Sequence, residues 1–231
     1  MNVERYKDAF NWLIDLYQDD FRKSSGAPAL GHPLGVMEMV MGAGGDEDTC
    51  IAALFHDFGE DKGGEEMLQE IERRFGARVA RIVRECSDTL PTGYDSKEPW
   101  VVRKVEHIRH ISHLDADTCL VLTADTLHNT RDHLRGVSRY GDTWWDNFRS
   151  NVYIDRDRTR EIGKASTLWY LDMKSMALDY RAADLGIQSL SDITSELREV
   201  VHSLFVNTLP DRQICDELYD YVSSAYDLRI N

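Results

Sequence analysis

The feature that most narrows the fold is the spacing of apolar residues. Along nearly the whole chain they recur three and four positions apart, and period-2 alternation is almost absent, so helices are the expected regular elements. Only five prolines interrupt 231 residues, which leaves room for long helices. The first, about residues 3 to 20, sets Tyr6, Phe10, Leu13, Ile14 and Tyr17 on its apolar face before "SSGAPALGHP" breaks it. A second begins near Pro33. "GAGGDED" ends it and offers Asp46 or Asp48 as the N-cap of a third, which runs to about Glu60. Periodic segments then cover about 65 to 75, 77 to 87, 99 to 112 and 116 to 135, separated by Gly76, "SDTLPTGYDS" and "SHLDAD". After Gly141 come "DTWWDNF" and "DRDRTRE", a helix around "ASTLWYLDMKSMAL", and two amphipathic segments, about 190 to 207 and 211 to 228. Short connections imply antiparallel neighbours. The expectation is an all-α fold.

Charge and cysteine usage exclude several classes of function. Forty-one acidic against 27 basic residues give a net charge of −14, which repels nucleic acid and anionic membranes. Cys50, Cys86, Cys119 and Cys215 are far apart and form no CxxC pair, so neither a disulfide framework nor a zinc ribbon is expected and a reducing cytoplasm is the simplest setting. No stretch approaches the roughly 20 apolar residues of a membrane span, and no apolar run follows a basic start.

Chemistry concentrates in "FHDFGED", residues 55 to 61. In a continuous helix, residues four apart stack. His56 is then expected over Glu60 and Asp57 over Asp61, which places an imidazole and three carboxylates beside the apolar stripe of Ile51, Leu54 and Phe55. Such a strip is costly unless positive charge lies against it, and a divalent cation would relieve the repulsion while using the neutral imidazole nitrogen. A lone His-Asp pair is more often a solvated helix end. Two further candidate ligands strengthen the metal alternative: His32 in "GHPLGV", and Asp125 in "VLTADTLHN". There Leu120, Ala124, Leu127 and Leu134 form a buried stripe that Asp125, Asn129 and Asp132 edge.

"RKSSGAP…GHP", "AALFHDFGED", "FGARVARIV", "LTADTLHN" and "STLWY" follow one another in an order that resembles the HD-superfamily hydrolase domain of RelA/SpoT homologues, and the whole resembles the small alarmone hydrolases over about residues 5 to 178. The resemblance implies an HD-domain helical bundle, taken as residues 1–178; the amphipathic segments beyond it make 179–231 an expected extension of extra C-terminal helices packed on the same unit. It implies that His32, His56, Asp57 and Asp125 bind one divalent metal ion, typically Mn2+, and that Glu60 and Asp61 orient or activate the attacking water. The implied reaction removes the 3′-pyrophosphate from guanosine tetra- or pentaphosphate, (p)ppGpp, releasing GDP or GTP and pyrophosphate. Arg22 and Lys23 match the pair that helps form the nucleotide pocket, and Asn129 the asparagine expected near the ribose. Arg103, Lys104 and Arg109 are phosphate-contact candidates, with a solvated basic face as the alternative. Thr126 stands where the family commonly has Arg or Lys, one cation fewer.

Other clusters read structurally. His107, His110 and His113 lack a completing carboxylate or cysteine and are expected on a partly exposed helix face. Trp144, Trp145, Trp169 and Tyr170 are expected in the core, and Ser24 and Ser25 have no triad-like context. Two alternatives to alarmone hydrolysis are a phosphatase acting on another nucleotide, such as the 2′-phosphate of NADPH, and a non-catalytic antitoxin. The latter would hold a toxic alarmone synthetase through the acidic C-terminal helices, since residues 171 to 231 carry 11 acidic and 5 basic groups.

Overall fold

The computed structural model describes residues 2–88, 98–149, 152–153 and 159–228; the rest of the predicted "SDTLPTGYDS" connection and most of "DRDRTRE" lie outside the described residues. The described residues are helical with no strand ladder, the one bridge being Phe21 with Pro28. The chain divides into two compact units, residues 1–97 with 114–128, and residues 98–113 with 129–231.

In the first unit, α1 (Val3–Tyr17) starts where the Asn2 side chain accepts the Arg5 N–H, and it buries Tyr6, Ala9, Leu13 and Tyr17. The three-four spacing of that stripe explains why this face turns inward. It ends three residues earlier than the predicted Asp20. α2 (Gly31–Gly42) buries His32, Pro33, Val36 and Val40. Asp46 caps α3 (Glu47–Phe55) by accepting the Thr49 N–H at 3.0 Å, an N-cap that satisfies an otherwise orphaned donor. Every residue of α3 from Thr49 to Phe55 is buried.

The expected continuation of this helix to Glu60 does not occur. α3 stops at Phe55, His56 and Asp57 form a turn, and a single-turn helix, α4 (Phe58–Asp61), follows. The phenylalanines that flank the break stay in the core. Phe55 and Phe58 are fully buried, their rings lie 4.9 Å apart, and both pack edge-on against Trp12 at 5.2 and 5.5 Å. Both rings are anchored in one aromatic cluster on either side of the break. Asp57 is the N-cap of α4, its carbonyl accepting the Asp61 N–H at 2.9 Å, so Asp57 and Asp61 stay one helical turn apart while the His-Asp pair itself lies in the turn between α3 and α4.

α5 (Gly64–Phe75) and α6 (Ala77–Cys86) pack on one another, and α3 packs on α2 and α6. α8 (Ala116–Tyr140) is the longest element of this region, grouped with the first unit through His128 and with the second from Asn129. Leu120, Ala124 and Leu127 are buried along it, Leu134 is partly exposed, and Asp125, Asn129 and Asp132 are intermediate.

The second unit contains α7 (Trp100–His110), a 3-10 turn at Gly141–Asn147, α9 (Arg160–Leu185), α10 (Gln188–Thr208) and α11 (Arg212–Tyr226). α7, α10 and α11 all pack on α9, whose continuous course includes residues 178 and 179, where the extension was expected to begin. α9 stops at Gly186, whose φ of 66° lets its N–H bond back to the Ala182 and Ala183 carbonyls, a left-handed cap that glycine adopts without steric cost. Trp144, Trp145 and Trp169 are buried, as their helical spacing predicts. His107 is buried while His110 and His113 are exposed.

Candidate metal centre

Three distant pieces of sequence meet in the first unit. His32 comes from the first turn of α2, His56 and Asp57 from the turn between α3 and α4, and Asp125 from the middle of α8. The Nε2 atoms of His32 and His56 are 3.1 Å apart. His32 Nε2 lies 3.5 Å from Asp57 Oδ2 and 3.3 Å from Asp125 Oδ1, and His56 Nε2 lies 3.2 and 3.6 Å from the same two oxygens. Both imidazoles are buried, Asp125 is 14% exposed, and Asp57 at 35% is the open side of the cluster.

His32, His56 and Asp57 fit one divalent ion, and Asp125 faces both imidazoles. The ligand atoms of His32, His56 and Asp57 lie within 4.8 Å of one another, and bonds of roughly 2.0–2.2 Å to a shared ion set adjacent donors about 3 Å apart. Two imidazoles and two carboxylates are ligand types that suit a divalent transition metal. The hydrogen bonding agrees. His56 Nδ1 lies 2.7 Å from the Ala53 carbonyl, an acceptor only, so Nδ1 carries the proton and Nε2 of the neutral ring offers its lone pair to the cluster.

Electrostatics point the same way. Burial by itself would lower the pKa of His56, but the Asp57 and Asp125 carboxylates outweigh it and hold that pKa well above the ordinary value. Burial would raise the Asp57 pKa, and His56 and His32 instead pull it far below the usual carboxylate range. The cluster draws positive charge, which protons or a cation can supply.

α4, which carries Glu60 and Asp61, is tied at both flanks. Glu60 Oε1 accepts the Asp88 N–H at 2.6 Å. Lys62 donates to the Leu16 carbonyl at 2.6 Å, pairs with Asp20, and lies 4.5 Å above the Tyr17 ring. Glu60 is half-buried and Asp61 exposed. Arg22 and Lys23 sit on the loop between α1 and α2, which the Arg22 N–H to Ala27 carbonyl bond closes at 2.8 Å. Asn129 is on α8 one turn beyond Asp125, and Thr126 is buried, its hydroxyl donating to the Leu122 carbonyl at 2.6 Å.

Arg103 and Lys104 lie on α7 in the second unit, where Arg103 donates to the Glu98 carbonyl at 3.2 Å and Lys104 stands 4.7 Å over the Tyr170 ring. Arg109 pairs with Glu106 and donates to the Tyr226 carbonyl. One residue beside the cluster went unnoticed in the sequence: His128, whose Nδ1 is 2.9 Å from Nδ1 of His32. Its only sequence signal is its place three residues after Asp125, the same side of a helix.

An all-helical scaffold with these His and Asp donors defines a class. A family model described as HD domain matches residues 9–140; the chain belongs to the HD-domain family and is an HD-family phosphohydrolase. It is 32% identical over 183 residues to the guanosine-3′,5′-bis(diphosphate) 3′-pyrophosphohydrolase MESH1 of Xenopus tropicalis, covering 78% of this chain and 94% of that protein. The MESH1 of Danio rerio is 36% identical over 151 residues, 64% of this chain and 77% of the relative. A solved structure described as a metazoan ortholog of SpoT that hydrolyses ppGpp superposes with a TM-score of 0.57 at 18% identity, over 87% of this chain and 93% of its own. That likeness establishes the shared fold. None of the described helices is long and apolar enough to cross a membrane.

Proposed function

We propose that the protein hydrolyses the 3′-pyrophosphate of guanosine tetra- and pentaphosphate, with His32, His56, Asp57 and Asp125 holding one Mn2+ ion. The observation that carries this reading is that the two imidazole Nε2 atoms lie 3.1 Å apart and each is 3.2 to 3.6 Å from an Asp57 and an Asp125 oxygen, in an HD-family chain whose relatives bear the name of that activity. The carboxylate ligands suit manganese. A bound ion supplies charge that polarises a phosphoryl oxygen and makes nearby water more acidic.

The chain's own residues supply the rest. His56, held by the Ala53 carbonyl, keeps its Nε2 lone pair aimed at the cluster. Glu60 and Asp61 orient the attacking water and take its proton. The Asp88 N–H fixes the Glu60 carboxylate, so the oxygen that receives the proton does not have to reorganise. Water adds to the phosphorus attached to the 3′ oxygen, the bond between them breaks, and that oxygen takes a proton, so GDP or GTP leaves with a 3′ hydroxyl beside pyrophosphate. Arg22 and Lys23 contact the nucleotide, and single substitutions there should raise KM. Residues 1–178 form the hydrolase domain and 179–231 extend it through the continuous helix α9, and the protein works in the cytoplasm.

The test is a substrate panel on Mn2+-loaded protein: guanosine tetraphosphate, guanosine pentaphosphate and NADPH, with pyrophosphate, phosphate and nucleotide products quantified. Pyrophosphate and GDP from the first substrate, abolished in Asp57→Ala, support the proposal. Phosphate from NADPH without pyrophosphate from either alarmone would sink it. Rescue of cells from an alarmone synthetase by Asp57→Ala would assign the antitoxin effect to binding.

A further inference from the structure

We propose that His128 is a positioning residue for the ion site: it accepts the Nδ1–H of His32 and so holds His32 with its Nε2 lone pair toward His56, Asp57 and Asp125. This rests on the reading of His32 as an ion ligand. The two Nδ1 atoms face each other at 2.9 Å, with the rings edge to face at 65° and centroids 4.8 Å apart. A contact that short between ring nitrogens contains one hydrogen, so one ring donates and the other accepts. A neutral His32 that offers Nε2 to an ion carries its proton on Nδ1. His32 is then the donor, His128 the acceptor, and the proton of neutral His128 is on its Nε2.

The two ligand histidines are thereby oriented by different means. His56 is set by a backbone carbonyl three residues earlier in its own chain segment. His32 is set by a side chain 96 residues away, so the orientation of one ligand on α2 depends on the placement of α8. Outer hydrogen bonds of this kind fix a ligand's tautomer and ring plane and raise its basicity.

A second, independent observation shows that the place of the His128 ring is specified. A Cβ at Gly35 would come within 2.6 Å of both Cδ2 and Nε2 of His128. Gly35 lies three residues after His32 on α2, on the same side of that helix. α2 therefore addresses the ring twice, once by the His32 hydrogen bond and once by leaving out a side chain. Glycine inside a helix costs roughly 1 kcal/mol relative to alanine, and the room it makes for this ring accounts for its presence.

The experiment measures Mn2+ affinity by titration calorimetry and the visible spectrum of the Co2+-substituted full chain, for the natural protein and for His32→Ala, His128→Phe, His128→Gln and Gly35→Ala. His128→Phe keeps the ring volume without the acceptor, and Gly35→Ala displaces the ring while changing no polar group. Both are expected to weaken Mn2+ binding 10- to 100-fold, the range for outer-shell partners, and to alter the Co2+ bands. His128→Gln, whose amide oxygen can accept the same hydrogen, should recover part of the affinity. If His32→Ala abolishes binding while His128→Phe and Gly35→Ala match the natural protein in affinity and spectrum, the positioning role is overturned and the ligand reading stands. If the natural protein binds no ion, or His32→Ala binds as tightly, the ligand reading falls and this role with it. Should His128→Phe fail to fold, Gly35→Ala decides alone: unchanged affinity and spectrum overturn the proposal.

Discussion

Both units bury charged or ionisable side chains, but they satisfy them differently. In the second unit two networks pair a cation with its counter-ion. Arg198 on α10 donates to Asp172 Oδ1 at 2.7 Å and to Ser175 Oγ at 2.6 Å, and the Tyr219 hydroxyl donates to the other Asp172 oxygen at 2.7 Å. Burial and the Asp172 charge push the Tyr219 pKa upward, so the hydroxyl keeps its proton to donate. Lys164, 4% exposed, reaches Asp142 at 3.0 Å and Glu161 at 3.1 Å. In the first unit, His32 and His56 meet each other and two shared carboxylates at similar distances. Closed pairs hold helices in register; atoms with lone pairs that converge from three segments make a place for a cation.

Breaking the open cluster should have the largest effect. Asp57→Ala is expected to reduce hydrolysis by about a thousandfold or more, about 4 kcal/mol of barrier, with far-UV circular dichroism unchanged. Next comes the response to ion itself. At 100 times Kd a ligand that binds only the folded state stabilises by about 2.7 kcal/mol, which at this chain length is a rise in Tm of about 5–10 °C. Chelation should reverse that rise in the natural protein, and Asp57→Ala should show none; an equal rise in the variant would show that the ion binds elsewhere.

The closed network should answer to stability and not to ion. Arg198→Met leaves Asp172 with Tyr219 and without its guanidinium, a loss of about 1–2 kcal/mol in urea unfolding, with Mn2+ affinity unchanged. The smallest effect belongs to the exposed pair at the start of α3. Burial works against Asp46, yet hydrogen bonds from Arg78 and Thr49 lower its pKa to about 2. A carboxylate held below its unfolded value stabilises above about pH 4, and that contribution fades as pH falls toward 2. Asp46→Asn keeps an N-cap and loses the charge, so at neutral pH it should cost less than about 1 kcal/mol, given that the side chain is 55% exposed. The difference between the two proteins should vanish near pH 2; a difference that grows on acidification would contradict the pairing.

Local features were legible in advance. Tyr6, Leu13 and Tyr17 of the expected α1 face turn inward, though Phe10 is half-buried and Ile14 exposed; of the two cap candidates Asp46 is the one used; and Leu120, Ala124 and Leu127 of the α8 stripe are buried while Leu134 is partly exposed. Each depends on residues within one or two turns. The break after Phe55 was not legible in the apolar spacing, which reads through it, and the contacts that flank it come from Trp12 on another helix. Lys104 gave no sign of its place over Tyr170, and His128 none of its hydrogen bond to His32, since both partners are far away in sequence.

By itself, then, the sequence determined the helices, their inward faces and the chemical kinds of donor available, because dihedral preference and apolar periodicity act over a few residues. Tertiary structure alone decided that Nε2 of His32 would meet Nε2 of His56 at 3.1 Å, and that a third histidine would stand behind the first. Contacts across 24 and 96 residues of chain follow from how whole helices pack, and no local pattern encodes them to a fraction of an ångström.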